Sequence, residues 1–472
     1  MVIQKSTEVI KKNQAFFGFL LIIGASLFLF YPSLNYYFFQ DDWFVLNWVR
    51  EGDWRSFFTF RTDIIYWRPL TMPIFFKIGK AIFDLNPFGF HAVAFVFHFI
   101  NIVLIYILFR TLKIDRKVSL LSSFLYATAS FHFVTLSWLS TTSYVIGPTF
   151  IFSALILFLT QRIIISFIFF AIALASSEFA LVVIPILLIL KGVSKSTLKQ
   201  LLPFFVISAF YLIVRFFIFP LPKTDQYEIH LEVNTLTNLF WYFVWAFNIP
   251  EKMSTIFFLS TLKQSTVTSL QFIKYLILPI ILIIIFLSTV FMSKQNVKKI
   301  IIGFSWFIFG ISPVLFLPRH TFPMYLTVGA VGLLYLFASS VEKLKIKNNI
   351  FFILFCTVWF ISSYLTLSFT RATHWIVNEQ AISKAYTNYT RMKITNPKQN
   401  SIFVFRPADL GFSTTNSFIL DVGQDMIRQS LNYGDAVKMI YNDSTLKSVY
   451  VISLEGVKFP KNTEVYVISP SN

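Results

Sequence analysis

The sequence predicts an all-α polytopic membrane protein that ends in a small α/β domain. Three observations carry that expectation. The 472 residues are 56% hydrophobic and 13% charged, with 60 phenylalanines, whereas a soluble domain carries about 25% charged residues. Apolar runs approaching the ~20 residues that span a bilayer recur along the first three quarters of the chain. Beyond residue 370 the pattern changes to short β-branched and aromatic runs between polar turns.

The apolar segments are 15–33, 88–109, 118–136, 143–160, 163–177, 179–190, 201–219, 272–292, 300–317, 323–341 and 350–369, about eleven spans in all. The first follows Lys5, Lys11 and Lys12 as a signal peptide would. No small-residue cleavage site comes after it, so it reads as a retained helix. Segments 163–177 and 179–190 are short for a bilayer and meet at Glu178, an acid that must face protein or water there. The single cysteine, Cys356, lies within an apolar segment, so disulfides play no part.

Charge sets the orientation. The N-terminus and the alternate loops "RTLKIDRK", Arg162, "KGVSKSTLK", "SKQNVKK" and "EKLKIKNN" hold 17 of the 40 basic residues and 3 of the 22 acids. Basic short loops stay cytoplasmic. The N-terminus is therefore expected inside and the tail outside, in a multi-pass plasma membrane protein whose composition points to a bacterium. Most of the net charge of +18 is thus orientation signal, and no nucleic-acid partner is needed to explain it.

Two outer elements follow. The first outer loop, 34–87, contains "WFVLNWVREGDWRSFF" and "LTMPIFFKIGKAIF", whose helical apolar spacing predicts interfacial helices. The aromatic segment 236–262, broken at Pro250, reads as a further interfacial or re-entrant piece. The tail, 371–472, is expected to form the outer α/β domain beyond a transmembrane domain at 1–370. Strands are expected at "SIFVF", "VKMIYN", "SVYVISL" and "EVYVIS", with a helix at "DVGQDMIRQSLNY".

With that topology, polar residues from separate segments reach the outer membrane level. They are Asp41, Asp42, Arg68, His91, His132, Glu178, Arg215, Arg319 and His320, with His98 and Asn101 deeper. Carboxylates serve as general bases, and arginines hold phosphate in a bidentate grip. The set fits an enzyme that takes a group from a lipid-linked phosphate donor. Each residue also has a structural reading: Asp41 and Asp42 as a helix cap, Arg68 and Arg319 as headgroup anchors, Arg215 snorkelling, and His98 and Asn101 as interhelical glue. No compact ligand spacing marks a metal site, although a divalent cation is chemically compatible with Asp41, Asp42, His91, His132 and Glu178. His374 and the acids of the tail read as surface residues.

"FFQDDWFVLNW", then "WRPLT" at 67–71 and "NPFGFH" at 86–91, resemble the N-terminal core of GT-C class membrane glycosyltransferases. The likeness is nearest to the transmembrane and tetratricopeptide-repeat O-mannosyltransferases and their bacterial relatives, and more distant to the protein O-mannosyltransferases. "SFHFVTLSWLS" is similar to a later family stretch at His132, with Ser130 and Val134 in place of its proline and glutamate, and Thr142 where an arginine often follows. "LASSEFALVVIP" keeps Glu178 but has Ser177 for lysine, and "LPRHTFPMYL" resembles a motif carrying Arg319 and Tyr325. The tail lacks the tetratricopeptide pattern.

The resemblance implies a polyprenyl-phosphate sugar donor and inverting transfer to an acceptor hydroxyl of a protein, lipid or glycan. Asp41 or Asp42 would be the base, and Arg68, Arg215, Arg319 and His320 would hold the donor phosphate. His91, His132 and Glu178 would orient the substrates. A transporter or flippase of lipid-linked glycans, a polysaccharide polymerase or ligase, and a degenerate scaffold are the competing readings.

Overall fold

The computed structural model describes residues 2–61, 64–218, 227, 234–260, 273–317, 319–346, 348–408 and 423–470. Among them, eight helical segments are long and apolar enough to cross a membrane: Phe16–Asn35, Pro87–Thr111, Leu139–Leu159, Lys195–Ile218, Ile273–Met292, Val297–Leu315, Pro323–Lys343 and Asn349–Thr373. Three of the expected spans fold as shorter pieces instead. Segment 118–136 becomes the helix Arg116–Thr128, an extended Ala129 and the short helix His132–Ser137. Segments 163–177 and 179–190 become Ile163–Ser176 and Val183–Lys191, joined by a 3-10 turn at Glu178–Val182. The expected interruption of 236–262 is present, between the helices Asn234–Trp245 and Lys252–Ser260.

The bundle is built around Pro323–Lys343, 94% of whose apolar window is buried. It lies close against Val297–Leu315 because glycines meet at the crossing. A Cβ on Gly310 would stand 2.3 Å from the Gly329 Cα, so small residues set this approach. Peripheral helices leave Leu21, Phe28, Phe210, Phe291 and Ile353 exposed, the surface that acyl chains would cover.

A cap covers one end. The loop 34–87 contains the helices Asp41–Glu51 and Phe75–Phe83; the first stops at Gly52, short of the whole stretch whose spacing was helical. The tail adds a parallel sheet of β1 (Ile402–Phe405), β2 (Lys447–Tyr450) and β3 (Val465–Ile468), in the order β2-β1-β3 with Val404 opposite Val449 and Val467. The middle strand β1 is buried throughout, as a continuous apolar run in a parallel sheet should be. "VKMIYN" is not a strand. It lies largely in the helix Asp435–Tyr441, bracketed by Gly434 at φ 122 and by Asn442 in the left-handed region, and these stops enclose helical turns. Loop and tail share one core: Trp43, Leu46 and Val49 pack in the same cluster as Tyr386, Phe403, Leu431 and Val437.

Candidate active site

Asp41 and Asp42 open the helix Asp41–Glu51, and adjacent helical positions point in different directions. The chain enters through Gln40 at φ 47. Its N–H donates to the Ser430 carbonyl at 3.1 Å, and its side-chain amide donates to Glu379. Held this way, the helix sends its two carboxylates into unlike surroundings.

Asp42 is buried. It accepts the Ser140 N–H and hydroxyl, both at 2.7 Å, and the Phe39 N–H at 3.3 Å. Burial raises its carboxyl to about 7, with the bonds from Ser140 and Phe39 acting in the opposite direction. Asp41 is exposed, but it opens onto a cavity of about 440 Å³. Surrounding protein replaces much of its bulk water there and raises its pKa above the ordinary value.

Arg68, Tyr144, Arg319, His320 and Glu379 line the same cavity. Arg68 Nε donates to Glu178 at 2.8 Å, and its Nη2 donates to the Tyr144 hydroxyl at 2.7 Å and to the second Glu178 oxygen. Tyr66 stacks over the guanidinium, 4.0 Å from ring centroid to Cζ. Glu178 is thus the counter-ion of Arg68. Burial pushes His320 down to about 4, helped by the Arg68 charge, so it faces the cavity as a neutral ring near pH 7. Arg319 is exposed on the cavity wall.

Three other expected site residues lie away from this cavity. Arg215 is buried and donates to the carbonyls of Ile64, at 3.0 Å, and Ile65; it clamps the stretch leading to Arg68. His91 Nδ1 bonds the Leu136 carbonyl at 3.0 Å inside the bundle. His132 bonds the Tyr126 carbonyl at 2.9 Å and packs 4.5 Å from the His98 ring. Each of these side chains bonds a buried carbonyl. Among the described residues no group of three or more His, Cys, Asp or Glu is placed to hold a metal ion, and the five that sequence suggested do not converge.

The motifs divide in the same way. In "WRPLT", Thr71 donates to the Ser176 carbonyl at 2.6 Å while Arg68 grips Glu178, so one short stretch is latched twice onto the turn between two short helices. In "NPFGFH", Asn86 caps the helix that Pro87 starts. Gly89 lets the Phe83 ring approach, for a Cβ there would meet it at 2.3 Å.

Two residues read as surface are not. His374 is buried and bonds Glu251 at 3.3 Å. Glu379 is buried at the cavity edge, and burial raises its carboxyl to about 7, with the bond from Gln40 lowering it and the Asp41 charge raising it. The signal was present in the sequence: Ile376, Glu379, Ile382, Tyr386 and Thr390 follow helical spacing, so Glu379 stands in the apolar stripe of Trp375–Lys393.

No family model matches the chain, and no curated protein matches it. Among solved structures, an Archaeoglobus fulgidus oligosaccharyltransferase in complex with zinc and sulfate is similar at 13% identity and a TM-score of 0.49. The similarity covers 91% of this chain and 62% of that one. The archaeal oligosaccharyltransferase AglB from Archaeoglobus fulgidus, in complex with an inhibitory peptide and a dolichol-phosphate, gives 12% identity, a TM-score of 0.45 and coverages of 93% and 65%. The chain thus spans less than two thirds of each of these proteins.

Proposed function

We propose that this protein is a membrane glycosyltransferase of the GT-C type. It would move a sugar from a polyprenyl-phosphate donor to an acceptor hydroxyl at the outer face of the membrane. The observation that carries the reading is the position of Asp41: a carboxylate of the "DDW" motif that opens onto a cavity also lined by Arg68, Arg319 and neutral His320. The order of "DDW", "WRPLT" and "NPFGFH" along the chain supports it further.

In the proposed reaction the Asp41 carboxylate takes the proton of the acceptor hydroxyl as its oxygen attacks the anomeric carbon. The carbon–oxygen bond to the lipid phosphate breaks, and the phosphate leaves with the electron pair. A single displacement of this kind inverts the anomeric centre. Arg319 stabilises the charge that develops on the phosphate, and a His320 ring N–H is available as a neutral donor. Arg68 holds the wall in place through Glu178. Asp42 is assigned to positioning, since its carboxylate is occupied by Ser140 and Phe39.

The test is donor consumption by the purified protein in nanodiscs, with a panel of polyprenyl-phosphate sugars. Asp41→Asn is expected to lose about 10²- to 10⁴-fold in turnover, the usual contribution of a general base, with insertion into the membrane unchanged. Wild-type turnover by Asp41→Asn would sink the assignment. Consumption in detergent, where there is no second compartment, would dispose of the transporter reading.

A further inference from the structure

Beside the Asp41 cavity lies a larger chamber of about 710 Å³, well within the size of small-ligand sites. The reaction above makes no use of it. Arg319, Phe322 and Trp375 line both spaces and form the wall between them. The helices Asn234–Trp245 and Lys252–Ser260 and the end of Asn349–Thr373 supply the other sides.

The lining combines two kinds of surface. Trp241, Phe322 and Trp375 contribute half-buried aromatic rings, with Trp245 buried behind them. Thr237, Thr255, Asn378 and Glu251 contribute hydroxyls, an amide and a carboxylate. Thr237 and Thr255 are exposed and Asn378 is half-buried, so their polar groups are accessible from the chamber. Glu251 is steadied by His374.

That combination selects among ligands. A pyranose ring has apolar C–H faces and a rim of hydroxyls that both donate and accept. Aromatic rings cover such faces, and amides, hydroxyls and carboxylates pair with the rim. A polyprenyl chain would bury these polar groups without partners, which is costly. An extended peptide is commonly held along a strand edge, and no strand is among the described walls here. A bare phosphate would engage Lys252 and Arg319 but leave the tryptophans idle.

We propose that this chamber is a saccharide-binding site, holding a glycan acceptor so that its terminal hydroxyl reaches Asp41 past the wall of Arg319, Phe322 and Trp375. The role as acceptor site rests on the glycosyl-transfer reading; the binding itself does not. It names the acceptor class as carbohydrate.

The experiment is saturation-transfer NMR on the full chain in lipid nanodiscs, since maltoside detergents would themselves compete. The probes are oligomers of hexose, N-acetylhexosamine, deoxyhexose and uronic acid, beside a hydroxyl-containing nonapeptide and a water-soluble short-chain polyprenyl phosphate. We expect transfer to the ring C–H protons of at least one oligosaccharide. Trp241→Ala should weaken that binding about tenfold, the size expected for one lost aromatic contact, and Trp241→Tyr should restore most of it. No binding by any oligosaccharide, or binding indifferent to Trp241→Ala, overturns the proposal. Binding of the peptide or the phosphate in their place, lost in Trp241→Ala, overturns it too and gives the chamber to that ligand. Oligosaccharide binding by a wild-type protein that turns over no donor would refute the transferase reading alone. Donor turnover onto peptide with no oligosaccharide bound would refute this inference alone.

Discussion

Asp41 and Asp42 are adjacent, and the loss of bulk water raises both carboxyls, with different consequences. In the proposed transfer a raised pKa makes Asp41 a stronger base that must still be ionised to act. The acid limb of kcat/KM is therefore expected to fall above the ordinary aspartate range, and Asp41→Asn should leave only a residual rate without that limb. At Asp42 the shift bears on stability. Its carboxyl moves from 3.8 to about 7 on folding, so the fold prefers the protonated form. The stability this gives is fully present below the unfolded pKa and is lost as pH rises through about 7. Asp42→Asn, which never ionises, should therefore gain on the wild type as pH rises from 3.8 to about 7 and keep that gain above it. Thermal melts in nanodiscs would read the gain, and a difference that does not move with pH would contradict it. The adjacent aspartates stood out in the sequence. Their unlike surroundings did not, because those depend on Ser140 approaching one of them from far along the chain.

Short stretches act here as joints between elements. "WRPLT" fastens the loop 34–87 to the turn at Ser176–Glu178 through Thr71 and Arg68. The bidentate pair of Arg68 and Glu178 is sheltered, with side-chain exposures of 3% and 24%. Breaking such a pair from one side leaves a charge without its partner and costs roughly 3–5 kcal/mol, whereas an apolar replacement of both is often near neutral. Glu178→Ala should thus unfold at markedly lower temperature, and the double change Arg68→Met with Glu178→Leu should recover stability without recovering turnover. If the double variant were as unstable as the single one, the joint would depend on something other than this pair. The helix Trp375–Lys393 is a second joint. Gln380 accepts the Tyr37 N–H at 3.2 Å, Ser383 accepts the Trp43 indole N–H at 2.9 Å, and Glu379 accepts from Gln40.

On the scale of the whole molecule, the tail and the loop 34–87 are one cap rather than two attachments. Phe403 on β1 is fully buried in the cluster that also holds Trp43 and Leu46 of the Asp41 helix. Phe403→Ala is expected to cost about 3–5 kcal/mol as a large-to-small change in a core. It should lower turnover together with cap stability, although no atom of Phe403 lines the cavity. Limited proteolysis within 34–87 would show whether the loop loosens with the tail, and an unchanged cleavage pattern would separate them.

Hydrophobic length, the segregation of lysine and arginine, and the change of composition after residue 370 sufficed for a helical membrane protein with a small α/β tail. The motifs "DDW" and "WRPLT" drew attention to Asp41 and Arg68, which line one cavity. These properties are local, set by periodicity and composition within a few turns. The tertiary structure alone decided that three short apolar segments are incomplete spans and that His91, His132 and Arg215 serve buried carbonyls. It also decided that Glu379 belongs to the cavity and that Asp41 rather than Asp42 opens onto it. Each of those outcomes depends on which distant group supplies the partner for a polar atom once water is gone, and that pairing exists only after the helices have packed.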